Sequence, residues 1–287
     1  MNTQYNRISD NSDIVLSKIS AVLHDMRYPD IPSDIPGGDM PGDHIEISNG
    51  PIKKAKTLFP IILAEMRRCI RDNGYGRAVV SVCGGSGVGK SVIASILSYM
   101  FNTIDIGCYT MSGDNYPHRI PDNNDAERLR IYKEGGIKAL DAYLGSPNEL
   151  NFDEVNGIIN AFKDGADALT LKRMGREKNS IQYEEVDMAG TNVLILEWTH
   201  GNSEYINGVD IPILLNSTPE ETLKYRQMRG RDEGTDSPFT TLVLRLEQEK
   251  LTAQAHKAKI ILTKSGEVID YKQFKALMTG VETEAGQ

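Results

Sequence analysis

Apolar positions follow two different patterns along the chain, and the change comes near residue 76. Before it, Ile14, Val15, Ile19, Val22 and Leu23 fall on one stripe and predict a helix over 13–26. Leu58, Ile62, Met66, Cys69 and Ile70 do the same for 52–72, with Asn73-Gly74 as a stop signal. Pro60 in that run calls for a first turn or a kink. Between the stripes, PDIPSDIPGGDMPGDH is dense in Pro, Gly and Asp and predicts a loop or extended connector.

From Arg77 onward strands and helices alternate. Residues 78–83 form a short β-rich apolar run. A helix over 91–100 shows Val92, Ile93, Ile96, Leu97 and Met100 on one face. A second strand is expected over 104–111 and a helix over 152–163, where Val155, Ile158, Ile159 and Phe162 align. Residues 193–198 and 211–216 read as buried strands. Thr218-Pro219-Glu220-Glu221 reads as a helix start, with Pro at the first position and acids at the positive helix end. A last strand is expected over 259–263. This alternation predicts an α/β fold with a parallel sheet covered by helices on both faces. We divide the chain into a helical and loop-rich N-terminal extension, 1–76, and an α/β domain, 77–287.

Composition narrows the partners. A formal net charge of −8 and a pI of about 5.3 oppose nonspecific binding to nucleic acid or an anionic membrane, which needs an excess of Lys and Arg. The start of the chain is polar, and no apolar run is long enough to span a bilayer. The three cysteines, Cys69, Cys83 and Cys108, read as buried free thiols and fit a reducing cytoplasm. A small-molecule substrate is therefore the expected partner, with no nucleic acid and no membrane. The extension could pack on a sheet edge, mediate a homodimer or cover the active site.

The chemistry starts at Gly84-Gly85-Ser86-Gly87-Val88-Gly89-Lys90-Ser91, which fits G-x-x-x-x-G-K-[ST] in full between a strand and a helix. Glycines let successive N–H groups turn inward onto phosphate oxygens, and the helix end adds positive potential. Gly85 to Ser91 are thus expected to hold ATP. Lys90 would reach the β- and γ-phosphates and the Ser91 hydroxyl would ligate Mg²⁺. No Asn-Lys-x-Asp guanine clamp follows. Asp187-Met188-Ala189-Gly190 matches D-x-x-G but precedes a strand, where chance explains it better.

Asp114 follows the second strand beside the loop, where a base could take the proton of an acceptor hydroxyl; a turn-forming role is the alternative. Glu197 ends an apolar run and needs a partner, either Mg²⁺ or a structural ion pair. Arg226, Arg229 and Arg231 precede a mobile-looking stretch and could close as a lid over the transferring phosphoryl; a solvated basic helix end is the alternative. Lys172, Arg173 and Arg176, with His118 and Arg119, offer cations for an anionic acceptor such as a sugar phosphate or hydroxy acid; an exposed basic hairpin is the alternative.

In this order the segments resemble the uridine kinase and phosphoribulokinase family of P-loop kinases, over about residues 77–266. Gly113-Asp114-Asn115-Tyr116-Pro117-His118-Arg119 is similar to its Gly-Asp-Ser-Phe-His-Arg segment, and Glu197-Trp198-Thr199-His200 to its Glu-Gly-Leu-His. The resemblance implies Asp114 as base, Glu197 as the Walker-B-type acid, and Arg229 and Arg231 as lid residues. It implies Tyr116 and His200 at the acceptor, and a five-stranded parallel core with a small antiparallel addition near the substrate. The expected activity is transfer of the ATP γ-phosphoryl to a hydroxyl of a small metabolite. A nucleoside kinase, a plain ATPase and a nucleotide-dependent switch without acceptor turnover are the alternatives. Two departures stand out: Trp198 replaces the family's Gly, and a basic stretch replaces its nucleoside-reading Tyr-Asp pair.

Overall fold

The computed structural model describes residues 2–25, 28–41, 45–73, 75–175, 177–229 and 237–285. The two N-terminal stripes form α1 (Asn2–Asp25) and α2 (Asn49–Asn73). The alternation opens with β1 (Ala78–Gly84), α3 (Lys90–Thr103) and β2 (Gly107–Ser112). Helices α4 (Pro121–Tyr143) and α5 (Phe152–Lys163) lead to strands β3 (Ala168–Arg173), β4 (Gln182–Asp187) and β5 (Thr191–Glu197). The chain continues as β6 (Ile211–Leu215), α6 (Pro219–Arg229), α7 (Pro238–Gln254), β7 (Ile260–Leu262), β8 (Val268–Ile269) and α8 (Tyr271–Ala285).

The main sheet runs β2-β5-β1-β6-β7-β8, parallel throughout except for the short antiparallel β8. Strands β3 and β4 form a separate antiparallel hairpin. This is the expected fold class: five parallel strands, flanking helices and a small antiparallel addition. The second strand starts later than expected because Ile104 caps α3 and Asp105 turns with φ 57°. Pro60 lies inside α2. The helix tolerates its missing N–H because Leu58, Phe59, Ile62 and Leu63 around it are fully buried.

Strand β1 is buried along its whole length, and its side chains alternate between two cores. Val80 and Val82 join Val15, Ile19, Phe59, Ile62, Leu97 and Phe101 from α1, α2 and α3. Val79 faces the other way, toward Phe152, Val155, Ile159, Leu169 and Leu171 from α5 and the hairpin. The extension therefore supplies one face of the central core. Its connector runs along the outer edge of β2, where a Cβ on Gly38 would lie 3.2 Å from the Thr110 side chain. Helix α4 is broken at Gly136 (φ 69°, ψ −164°).

The cysteines are unbridged, and burial pushes the Cys83 and Cys108 thiols up to about 12. Asp187 accepts from the Ala189 N–H in the turn before β5, so the D-x-x-G match is a structural turn. No helix among the described residues is long and apolar enough to cross a membrane.

Candidate active site

Strand β1 delivers the chain into the glycine loop at the carboxyl edge of the sheet, and α3 begins at Lys90. The loop needs left-handed backbone at Gly87 (φ 79°) and Gly89 (φ 95°), which side chains with a Cβ rarely adopt. A Cβ on Gly87 would also come within 2.9 Å of Arg226 Cγ, so α6 seats directly on the loop. The N-cap residue of α3 is Gly89, with no side-chain cap. The amides of that first turn, which no helix carbonyl can take, are left to a ligand, and anions suit them best. The loop thus fits a nucleotide's phosphates.

Register brings the charged groups together. Val82 and Ser112 both pair with Glu197, which places the carboxylate of β5 between the loop strand and β2. Glu197 Oε1 lies 3.8 Å from Lys90 Nζ, and Glu197 Oε2 accepts from Ser112 Oγ at 3.5 Å. Lys90 also donates to the Gly85 carbonyl at 3.4 Å. The ion pair expected as one reading of Glu197 is therefore formed. Its carboxylate and the Ser91 hydroxyl also face one cavity, and such oxygens are the donors Mg²⁺ prefers.

Asp114 sits in a single helical turn, Gly113–Asn115, directly after β2, and its side chain is exposed. A Cβ on Gly113 would lie 2.0 Å from Trp198 Cγ. The family's Gly is thus exchanged for Trp198, whose fully buried ring fills the corner and leaves only glycine possible at 113. Asp114, Lys90, Ser91 and Glu197 all open onto a cavity of about 750 Å³. Its wall also includes Met40, Pro41, Arg119, Asp122, Asp125, Arg128, Thr199, Arg226 and Glu247.

Two buried networks hold this wall. Arg128 of α4 donates to Glu149 at 2.6 Å and lies 3.5 Å from Glu247 of α7. Burial works against the Arg128 charge, but Glu149 and Glu247 outweigh it and hold the guanidinium above its usual basicity. Glu149 also accepts from Asn124 and the Gly145 N–H, and stays below the usual carboxylate range although burial opposes its charge. Burial raises Glu247, against the pull of Arg128. In the second network Asp39 Oδ1 accepts from the Ser112 N–H (2.6 Å) and Asn115 Nδ2 (3.2 Å). Its Oδ2 accepts from Arg173 Nη1 (2.9 Å) and the Tyr109 hydroxyl (3.3 Å). Burial still pushes the Asp39 carboxyl up to about 6, against these donors.

No family model matches the chain. The bifunctional alpha-galactosidase/sucrose kinase AgaSK of Mediterraneibacter gnavus is 48% identical over 219 residues, covering 76% of this chain and 23% of that protein. The chain thus spans less than a quarter of the relative's length. Among solved structures, phosphoribulokinase from Rhodobacter spheroides matches with TM-score 0.50 and 16% identity, over 66% of this chain and 70% of that one. The D-glycerate 3-kinase from Cryptococcus neoformans matches with TM-score 0.52 and 12% identity, over 78% and 99%. The chain has the fold of the phosphoribulokinase-type P-loop kinases. The resemblance drawn from its segments holds at the level of the fold.

On this P-loop kinase fold the acceptor-side residues are arranged differently from expectation. Tyr116 is fully buried. Its hydroxyl donates to Met111 Sδ (3.8 Å) and accepts from the Lys172 N–H (3.3 Å), so it is a core residue, away from the cavity wall. His200 is buried beside Trp198, with Gly145 tight against its ring, and does not line the cavity either. Lys172 donates to the Pro117 carbonyl at 3.0 Å, and Arg173 is taken by Asp39, Glu184 and Tyr109. His118 is exposed and donates to the Pro147 carbonyl at 2.9 Å. Arg119 does reach the cavity, while donating to the Tyr143 hydroxyl at 3.0 Å. Arg229 belongs to the last turn of α6; Arg176 and Arg231 lie outside the described residues. Arg226 lines the cavity and donates to Thr222 Oγ1 at 2.6 Å.

The sequence reading missed Asp39, Arg128 and Glu247. Arg128 and Glu247 look like ordinary charges on polar helices. Asp39 lies in a connector whose only signal is the turn composition around it.

Proposed function

We propose that the chain is an ATP-dependent kinase that phosphorylates a hydroxyl of a small sugar. One observation carries this reading: the P-loop lysine, the strand-end Glu197 and the Asp114 turn all open onto the same cavity of about 750 Å³. That volume suits a nucleotide's phosphates with a small acceptor beside them.

The chemistry follows from the residues present. The loop amides and Lys90 hold the β- and γ-phosphates, and Arg226 stands over the loop from α6. Ser91 and Glu197 would hold Mg²⁺, which when bound supplies positive charge to the β- and γ-oxygens. Asp114 accepts the proton of the acceptor hydroxyl. The acceptor oxygen bonds to the γ-phosphorus as the bond to the β–γ bridging oxygen breaks, and ADP departs.

A neutral, polyhydroxylated acceptor is our first choice. Asp114, Asp122 and Asp125 line the wall, and carboxylates accept well from sugar hydroxyls. Lys172 and Arg173 are committed to protein partners, and the relative that covers most of this chain carries a sucrose kinase. Arg119 in the same wall favours a second reading, an anionic sugar phosphate or hydroxy acid. The unbridged cysteines support a reducing, cytoplasmic setting.

The test is ADP release from Mg-ATP with sucrose, other neutral sugars, sugar phosphates and glycerate as acceptors. Turnover with a neutral sugar supports the first choice, and turnover only with anionic acceptors supports the second. Nucleotide binding with no acceptor-dependent ADP would turn the reading toward a switch protein.

A further inference from the structure

Among the described residues, the N-terminal extension enters the site around Asp39. Between α1 and α2 the connector passes the outer edge of β2, and Asp39 turns its side chain inward, where it is 5% exposed. Its two oxygens receive four donors from three elements: Tyr109 and Ser112 of β2, Asn115 of the turn that follows, and Arg173 of β3. Ser112 and Asn115 bracket the turn that carries Asp114. Asn115 in turn accepts from the Met174 N–H at 2.8 Å, which joins the hairpin to the same turn. Met174 lines the cavity, and so do Met40 and Pro41, the residues directly after Asp39.

We propose that this connector is part of the acceptor site. Asp39 is a positioning residue that fixes the Asp114 turn, and Met40 with Pro41 forms the wall that selects the acceptor. The inference rests on the phosphoryl-transfer reading above. It explains why a carboxylate is kept where burial opposes its charge. A plain anchor for the extension could be apolar, as Ile35 nearby is. Donors on both sides of Asp114 serve a different need, since small displacements of a reacting group cost rate steeply. A thioether and a proline ring in a lining that also holds carboxylates and arginines supply an apolar patch suited to the apolar face of a sugar ring.

The test uses the full chain and four variants: Asp39→Ala, Asp114→Asn, the double variant and Met40→Ala. Binding of ATP is measured by calorimetry, and turnover by transfer from radiolabelled ATP to the acceptor. Asp39→Ala should lower kcat by about 100-fold with unchanged ATP affinity. On the Asp114→Asn background the same change should cost less than about threefold, because the group it positions is already disabled. Met40→Ala should raise KM for the best acceptor and reorder the acceptor panel, with ATP affinity unchanged. Equal losses from Asp39→Ala in both backgrounds would overturn the positioning role. An unchanged acceptor ranking in Met40→Ala would overturn the wall, even if Asp39→Ala failed to fold. The unmodified chain in the same assay separates the two claims: if it shows no acceptor-dependent transfer, the kinase reading itself fails.

Discussion

The Lys90 ammonium faces the Gly85 carbonyl and the Glu197 carboxylate in this structure, and on the proposed reading it would serve the phosphates as well. Its replacement leaves Glu197 buried without that cation and leaves transition-state charge unmet. Lys90→Ala should lower kcat by about 100-fold or more, and Asp114→Asn by a similar factor while ATP affinity is retained. Rapid-quench kinetics with equilibrium nucleotide binding checks both; activity surviving Asp114→Asn would remove it as the base. His200 affects stability instead. Burial, aided by the nearby Arg128 and Lys90 charges and opposed by Glu149, depresses its pKa from 6.5 to about 4. The unfolded chain takes up this proton below pH 6.5, whereas the folded chain resists it until about 4. The contribution is therefore present above pH 6.5 and is lost as pH falls through 4. Between pH 7 and 4 the wild-type Tm should fall more steeply than that of His200→Gln. Parallel curves would show that the imidazole is not held neutral.

At the level of elements, Arg128 ties α4 to the Glu149 loop and to α7. Arg128→Met would strand buried Glu149 without its main cation and should destabilise the fold by about 3 kcal/mol or more, read from urea unfolding. The same helix shows why sequence reading stops where it does. Helix α5 was legible to the residue, because Val155, Ile158, Ile159 and Phe162 repeat at helical spacing and are buried. The phosphate loop was legible because its chemistry admits few alternatives. Helix α4 buries only Asn124, Leu140 and Tyr143, so no apolar stripe announces it, and Gly136 interrupts it with a non-helical backbone. The Lys172 and Arg173 charges were visible, but not the Pro117 carbonyl or the Asp39 carboxylate that take them. Such partners, distant along the chain, are set by tertiary packing, which periodicity does not encode.

For the whole molecule, the extension completes both the core and the site. Val15, Ile19, Leu58, Phe59, Ile62 and Leu63 are buried against α3 and the sheet. A chain cut to 77–287 would expose that apolar face to water. It should be insoluble or lack cooperative unfolding by circular dichroism; a soluble, cooperatively melting fragment would show that the α/β part folds alone. The strand order also sets a sequence of events during synthesis. Strand β1 emerges before its partners yet belongs at the middle of the sheet, where Ala78 pairs with Val193 and Val80 with Ile211. Long-range pairing of this kind is slow, because the loop between partners must close before any contact rewards it. The α1 and α2 apolar faces leave the ribosome before the strands they cover have found their order. Until β5 and β6 arrive, the nascent chain carries exposed hydrophobic surface and an unformed glycine loop, a state in which chaperone capture competes with folding.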